Sequence, residues 1–153
     1  MPVTMTPVVL VVDDDPDSVD LYRQSLETGR AGSSEATVEV VPNGALAIRR
    51  MHDLTAPRPD LVILDLSMPE RGGHEVLAVM RTVPRLLGVP VVVFTASAGP
   101  GDVELSYGLG ANCHVVKPAD ADRHLEVIRQ IEDFWLHTAT LPPAMAALQP
   151  ADR

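Results

Sequence analysis

At 153 residues the chain is sized for one domain, and its 12 Lys+Arg against 21 Asp+Glu leave a formal charge of −9, so no cationic surface is available to neutralise a nucleic-acid backbone. An aromatic content of 3% leaves aliphatic side chains to fill the core, and the single cysteine, Cys113, excludes an intramolecular disulfide or a multi-cysteine metal site. No signal-like segment and no apolar run of membrane-spanning length occurs, so a soluble, cytoplasmic protein that contacts neither nucleic acid nor membrane is expected.

Val8–Val12 (VVLVV) is an unbroken apolar run too short for a typical helix, the form taken by a strand buried on both faces of a sheet, and it stops abruptly at Asp13, Asp14 and Asp15. Helical spacing over Asp17–Glu27 leads to a second run at Thr37–Val41, and a second helix over Gly44–Leu54 leads to a third at Asp60–Leu64. A third helix over Gly73–Thr82 precedes a strand at Pro90–Phe94; a fourth over Gly101–Leu109 precedes one at Cys113–Val116; a last helix spans Ala121–His137. Five alternations of strand and helix predict parallel strands joined by right-handed crossovers, with helices on both faces. The expected fold is α/β, a doubly wound five-stranded parallel sheet of flavodoxin-like order 2-1-3-4-5. The domain is expected over residues 1–137, with 138–153 a C-terminal extension whose Pro142, Pro143 and Pro150 argue against a separate output domain.

In such a sheet, ligands sit beyond the carboxyl ends of the strands, where the strand order reverses. Asp13 and Asp14 follow the first strand, Asp65 the third, Thr95 the fourth and Lys117 the fifth. Three carboxylates at one edge repel one another unless a cation lies between them, and hard oxygen donors favour Mg²⁺ with a phosphate as co-ligand. Lys117 offers a point charge to a phosphoryl oxygen and Thr95 a hydroxyl, so the set is suited to phosphoryl transfer with Asp65 as nucleophile.

Bland roles compete for several residues. Asp15 and Asp17 suit a helix N-terminus, and an Asp after a buried strand is a common turn residue. His52, His74, His124 and His137 form no i, i+4 metal pair and are assigned to the surface, while Cys113 is expected to face the core as a small apolar group. Phe134 and Trp135 are adjacent on a helix, point about 100° apart and cannot share one core seam. With Leu136, Leu141, Met145 and Leu148 they offer an apolar face for a homodimer, intramolecular packing of the tail being the alternative.

Four motifs, VVDD at Val11–Asp14, LVILDLSMP at Leu61–Pro69 followed by Gly72 and Gly73, VVVFTAS at Val91–Ser97 and GANCHVVKP at Gly110–Pro118, resemble those of response-regulator receiver domains of two-component signalling. The resemblance implies that Asp65 is the phosphoacceptor, that Mg²⁺ is held by Asp14, by Asp13 largely through water, by Asp65 and by the Ser67 carbonyl, and that Lys117 contacts the phosphoryl group. It implies that Thr95 is the switch hydroxyl, that Ser67 and Ser97 line the access route and tune phosphoryl lifetime, and that the Lys117–Pro118 peptide is cis. The GANC element and IEDFWL at Ile131–Leu136 resemble the small single-domain regulators of phytochrome-type histidine kinases, which implies such a kinase as partner and a homodimer through the last helix and tail. His114 departs from the family pattern, which places an aromatic there; the usual coupling to the Thr is in doubt, and a half-exposed strand residue is the bland reading.

The expected protein is thus a phosphoacceptor that assists its own phosphorylation and dephosphorylation, not an enzyme acting on a separate substrate. A haloacid-dehalogenase-type phosphohydrolase is disfavoured because its second Asp, two residues on, is here Ser67. A flavodoxin-type binder is disfavoured because three Asp after the first strand repel a flavin phosphate, and a receiver that acts only as a scaffold has no need of the complete acidic set.

Overall fold

The computed structural model describes residues 6–27, 36–68 and 71–143, so Pro69, Met145, Leu148 and Pro150 lie outside the described residues. Strands β1 (Val8–Val12), β2 (Thr37–Val41), β3 (Leu61–Leu64), β4 (Val91–Thr95) and β5 (Cys113–Val116) alternate with helices α1 (Pro16–Leu26), α2 (Gly44–His52), α3 (Gly73–Met80), α4 (Pro100–Gly108) and α5 (Ala121–Glu132). All pairings are parallel and the order is β2-β1-β3-β4-β5, as expected. Among the described residues no helix is long and apolar enough to cross a membrane.

Val8–Val12, Leu61–Leu64 and Val91–Phe94 are apolar at every position because each of these central strands feeds two cores. Leu10, Val12, Val62, Leu64, Val91 and Val93 pack with Ala47 and Met51 of α2 and with Val76, Leu77 and Met80 of α3. Val9, Val11, Leu61, Ile63, Val92 and Phe94 face the other way, onto Tyr22 and Leu26 of α1 and Val127, Ile128 and Ile131 of α5. Side chains of Asp15, Asn43 and Asp120 accept backbone N–H bonds at the starts of α1, α2 and α5, each cap contributing about 1 kcal/mol. Helix α4 is seated differently: Ser106 is its one buried residue, while Leu105 and Tyr107 stand 47% and 50% exposed.

At the amino edge of the sheet, arginines bind backbone carbonyls. Arg85 donates to the Asp53 and Ala56 oxygens, Arg58 to that of Arg85, Arg50 to that of Pro57, and Arg81 to those of Leu87 and Gly110. Gly110, at φ 95°, turns the chain from α4 into β5 in a conformation that other residues rarely adopt. The start of the tail lies along the same edge, where Arg58 reaches the Pro143 carbonyl at 3.5 Å and Pro142 lies beside Gly88.

Several expectations are corrected. Regular pairing moves the third strand to Leu61 and extends the fourth to Thr95, with Asp60 instead accepting the Val8 N–H on its carboxylate at 2.8 Å. The last helix is not α-helical to His137: it widens to a π-helical segment, Asp133–Thr138, which leaves Phe134 51% exposed while Trp135 and Leu136 pack onto the α1–α5 core. The Lys117–Pro118 peptide is trans, the isomer favoured by about 0.5–1 kcal/mol. His52 and His137 are exposed, but His124 is buried against Phe94, ring centroids 5.1 Å apart and edge to face, because its position on α5 faces the sheet. His74 is half-buried between α3 and α4. Cys113 is half-buried beside the α1–α5 core, and burial raises its thiol pKa.

Two stability predictions follow from this packing. A Cβ on Gly73 would stand 2.2 Å from the Asp65 carbonyl oxygen, whereas one on Gly101 meets nothing within 4 Å. Gly73→Ala is expected to lose about 1–3 kcal/mol in urea unfolding, and Gly101→Ala to gain about 0.4–1 kcal/mol. Burial, followed by the nearby Lys117 charge, holds the His124 pKa below its ordinary value of 6.5, and its Nε2 has no hydrogen-bond partner among the described residues. The unfolded chain therefore takes up this proton first, so the His124 contribution is complete above the unfolded pKa and is lost as pH falls toward the lower folded value. Urea midpoints at about pH 7.5 and about pH 5.5 should diverge more for wild type than for His124→Phe.

Candidate functional site

Register brings the acidic residues together. Val12 pairs with Leu64, so Asp13 and Asp65 emerge side by side, and the ladder continues into them: the Asp13 N–H donates to the Val41 carbonyl at 3.1 Å and the Asp65 N–H to that of Val12 at 2.9 Å. Thr95 pairs with Val116, and the N–H of the next residue, Lys117, donates to the Thr95 carbonyl at 2.7 Å. Carboxylate oxygens of Asp13, Asp14 and Asp65 lie within 4.8 Å of one another, with Asp13 and Asp65 buried and Asp14 exposed. The Lys117 Nζ donates to Asp13 Oδ2 at 2.7 Å and to Asp65 Oδ2 at 3.2 Å. The other oxygen of each buried carboxylate is also engaged, Asp13 Oδ1 by the Asp15 N–H and Asp65 Oδ1 by the Ser67 N–H.

These contacts set the local proton affinities. Burial raises the Asp13 pKa and outweighs the lowering by Lys117 and the Asp15 N–H. For Lys117 burial is the largest single influence and acts downward, yet the bonds and fields of Asp13 and Asp65 together overcome it and raise its pKa. Three carboxylates around one ammonium leave excess negative charge in a set of hard oxygen donors, which fits a divalent cation of the Mg²⁺ class.

Thr95 is fully buried at the end of β4, and its Oγ1 accepts the Ser97 N–H at 3.5 Å. The Ser97 hydroxyl donates to Asp102 of α4. His114 is only half-exposed, as the bland reading has it, but both ring nitrogens are engaged: Nε2 lies 3.0 Å from the Ser97 carbonyl oxygen and Nδ1 3.0 Å from Ser106 Oγ. Asp102 and Ser106 were not anticipated from the sequence, and His74, assigned there to the surface, is half-buried against Ser106; nothing in a short helix marks a serine as its buried anchor.

Phe134, Trp135 and Leu136 lie away from the acidic cluster, and Leu141 is half-buried. Phe134 and Trp135 line an open groove of about 220 Å³ on the β5–α5 face, together with Cys113, Val115 and Ile131.

The sequence model of the response regulator receiver domain matches residues 9–129. The chain belongs to the response-regulator receiver family. This receiver is 34% identical over 141 residues to the response regulator Rcp1 of Synechocystis sp., spanning 90% of this chain and 94% of Rcp1. The phosphorylated cyanobacterial phytochrome response regulator RcpA superposes with a TM-score of 0.84 at 33% identity, covering 91% of the receiver and 100% of RcpA. The Mn²⁺-bound form of Rcp1 superposes with a TM-score of 0.80 at 34% identity, covering 90% and 99%.

A cation bound only by the folded receiver raises its melting temperature by mass action. Mg²⁺ or Mn²⁺ should therefore raise the wild-type melting temperature in calorimetry. Asp14→Asn, which removes an exposed carboxylate, should abolish most of that rise without lowering the metal-free value; an undiminished rise would place the cation elsewhere.

Proposed function

We propose that this receiver accepts a phosphoryl group from the phosphohistidine of a sensor histidine kinase onto Asp65, with Mg²⁺ held by Asp13, Asp14, Asp65 and the Ser67 carbonyl. The observation that carries this reading is the buried Asp65 carboxylate at a strand end, beside two further carboxylates and 3.2 Å from an ammonium. An Asp65 oxygen attacks phosphorus as the P–N bond to the kinase histidine breaks, giving an acyl phosphate on this chain. A bound divalent cation supplies neutralisation of the converging carboxylate and phosphoryl charge. Lys117, already held at Asp65, pairs with a phosphoryl oxygen, and the Thr95 hydroxyl donates to another. The chain assists its own phosphorylation and dephosphorylation rather than turning over a separate substrate.

A phytochrome-type kinase is the partner favoured by the similarity to Rcp1 and RcpA over nearly the whole chain. The signalling surface combines exposed Leu105 and Tyr107 of α4, Val116 of β5 and Phe134. Homodimerisation through the last helix and tail is supported by the apolar groove beside Phe134 and Trp135.

Native mass spectrometry after incubation with acetyl phosphate tests these readings together. Wild type is expected to gain one phosphate only with Mg²⁺, and Asp65→Asn to gain none; absence of uptake with active donor and metal sinks the phosphoacceptor reading. A dimer peak reduced by Phe134→Asp is expected, and a wild type monomeric throughout rejects self-association.

A further inference from the structure

The buried face of α5 ends on a polar residue. Glu132 is 4% exposed, and its Oε2 accepts at 2.7 Å from the hydroxyl of Ser25 on α1, which is buried to the same degree. The seam around this pair is apolar, built by Leu26 of α1 and by Val127, Ile128 and Ile131 of α5. Apolar replacements of such a pair are commonly as stable, so the best-attested use of a buried polar contact is to fix register. Directly after Glu132 the α-helix gives way to the π-helical segment Asp133–Thr138, in which the Ala139 N–H donates to the Phe134 carbonyl, five residues back, at 2.6 Å.

The rotational setting of α5 decides which side chains come next. A continued α-helix, advancing about 100° per residue, would place Trp135 alone over the line of Ile128 and Ile131, with Phe134 and Leu136 about 100° to either side. The extra residue in a π turn cuts the advance to about 80°, so Trp135 and Leu136 straddle that line and Phe134 swings outward. Phe134 is accordingly 51% exposed, at the rim of the groove lined by Cys113, Val115, Ile131 and Trp135. An aromatic knob beside an apolar hollow on one face is self-complementary under a two-fold axis. Rotating α5 to bury Phe134 instead would carry the Glu132 carboxyl off Ser25 and leave it in the apolar seam without that partner, the costly outcome for a buried polar group. We propose that Glu132, held by Ser25, is a positioning residue for the self-association surface: it fixes the setting of α5 at which the next turn widens, and so places Phe134 as the anchor offered to the groove of a second copy. The inference rests on the self-association reading above and assigns the residues that shape its surface.

Two readouts on the full chain separate register from simple stabilisation: nuclear Overhauser contacts along the last turns, and the dimer dissociation constant from sedimentation. Wild type is expected to show contacts five residues apart, from Phe134 to Ala139. The double variant Ser25→Ala with Glu132→Met is expected to unfold in urea at or above the wild-type midpoint, yet to show contacts four residues apart and a dimer at least about ten-fold weaker, as for loss of an aromatic anchor. Glu132→Gln, whose side-chain carbonyl accepts from Ser25, is expected to keep the five-apart contacts and a dissociation constant within about two-fold of wild type. If the double variant does not fold, Glu132→Met alone supplies the test, the Ser25 hydroxyl then turning to a carbonyl of its own helix. A double variant in which either readout is unchanged, a Gln variant that behaves like it, or a wild type without the five-apart contacts overturns the proposal. A wild type monomeric at every concentration overturns the self-association reading and the purpose assigned to Glu132 alike, and is told apart from failure of the register alone by the five-apart contacts.

Discussion

Three carboxylates lie within 4.8 Å of one another, the two buried ones sharing one ammonium, and the rest of the molecule holds this unbalanced charge in place. Repulsion between such charges is on the order of a few kcal/mol per pair at the effective dielectric of a protein pocket. It is sustained because Asp13 and Asp65 are extensions of a fully paired parallel ladder, their N–H groups already bonded to neighbouring strands. The backbones of Asp13 and Asp65 cannot move apart without breaking sheet. Lys117 comes from the far strand, β5, so the ion pairs also tie the sheet edge across β3 and β4.

Against this fixed edge, the helices divide by how they are held. Apolar anchors resist displacement because moving them exposes surface to water, at roughly 25 cal/mol per Å². A hydrogen-bonded seat can be exchanged for another at little net cost, since lost bonds are replaced by new ones or by water. Helix α4, resting on Ser106 and showing Leu105 and Tyr107 to solvent, is of the second kind, and it adjoins the loop that carries the end of the site. The apolar surface of α4 is therefore already outside, available to a partner.

Much of this was legible in the sequence because parallel strands buried on both faces leave an unambiguous trace: Val8–Val12 and Val91–Phe94 contain no interior polar residue, and the residues that follow each strand fall at one edge by topology alone. Asp13, Asp14, Asp65 and Lys117 were found that way, and Asp15 was recognised as a helix start. What escaped depends on pairings between distant segments. His124 resembles a surface residue in a charged helical turn until Phe94 is placed against it. Ser106, His74 and His114 come from α4, α3 and β5, and no local spacing announces that one hydroxyl serves both rings. The π-helical segment was equally hidden, because widening one turn is a response to what Trp135 and Leu136 pack on.

The arginines at the amino edge give the molecule chemically dissimilar ends. Arg50, Arg58, Arg81 and Arg85 grip carbonyl oxygens, which do not titrate, with guanidinium groups that stay charged across the ordinary pH range. The opposite end is built of carboxylates, an ammonium and imidazoles, all answerable to protons and ions. The two ends of the sheet are thus held by different chemistry: guanidinium-to-carbonyl bonds, with the Asp60 carboxylate on the Val8 N–H and the Arg50–Glu39 pair among them, fasten one, and a crowded carboxylate–ammonium cluster the other.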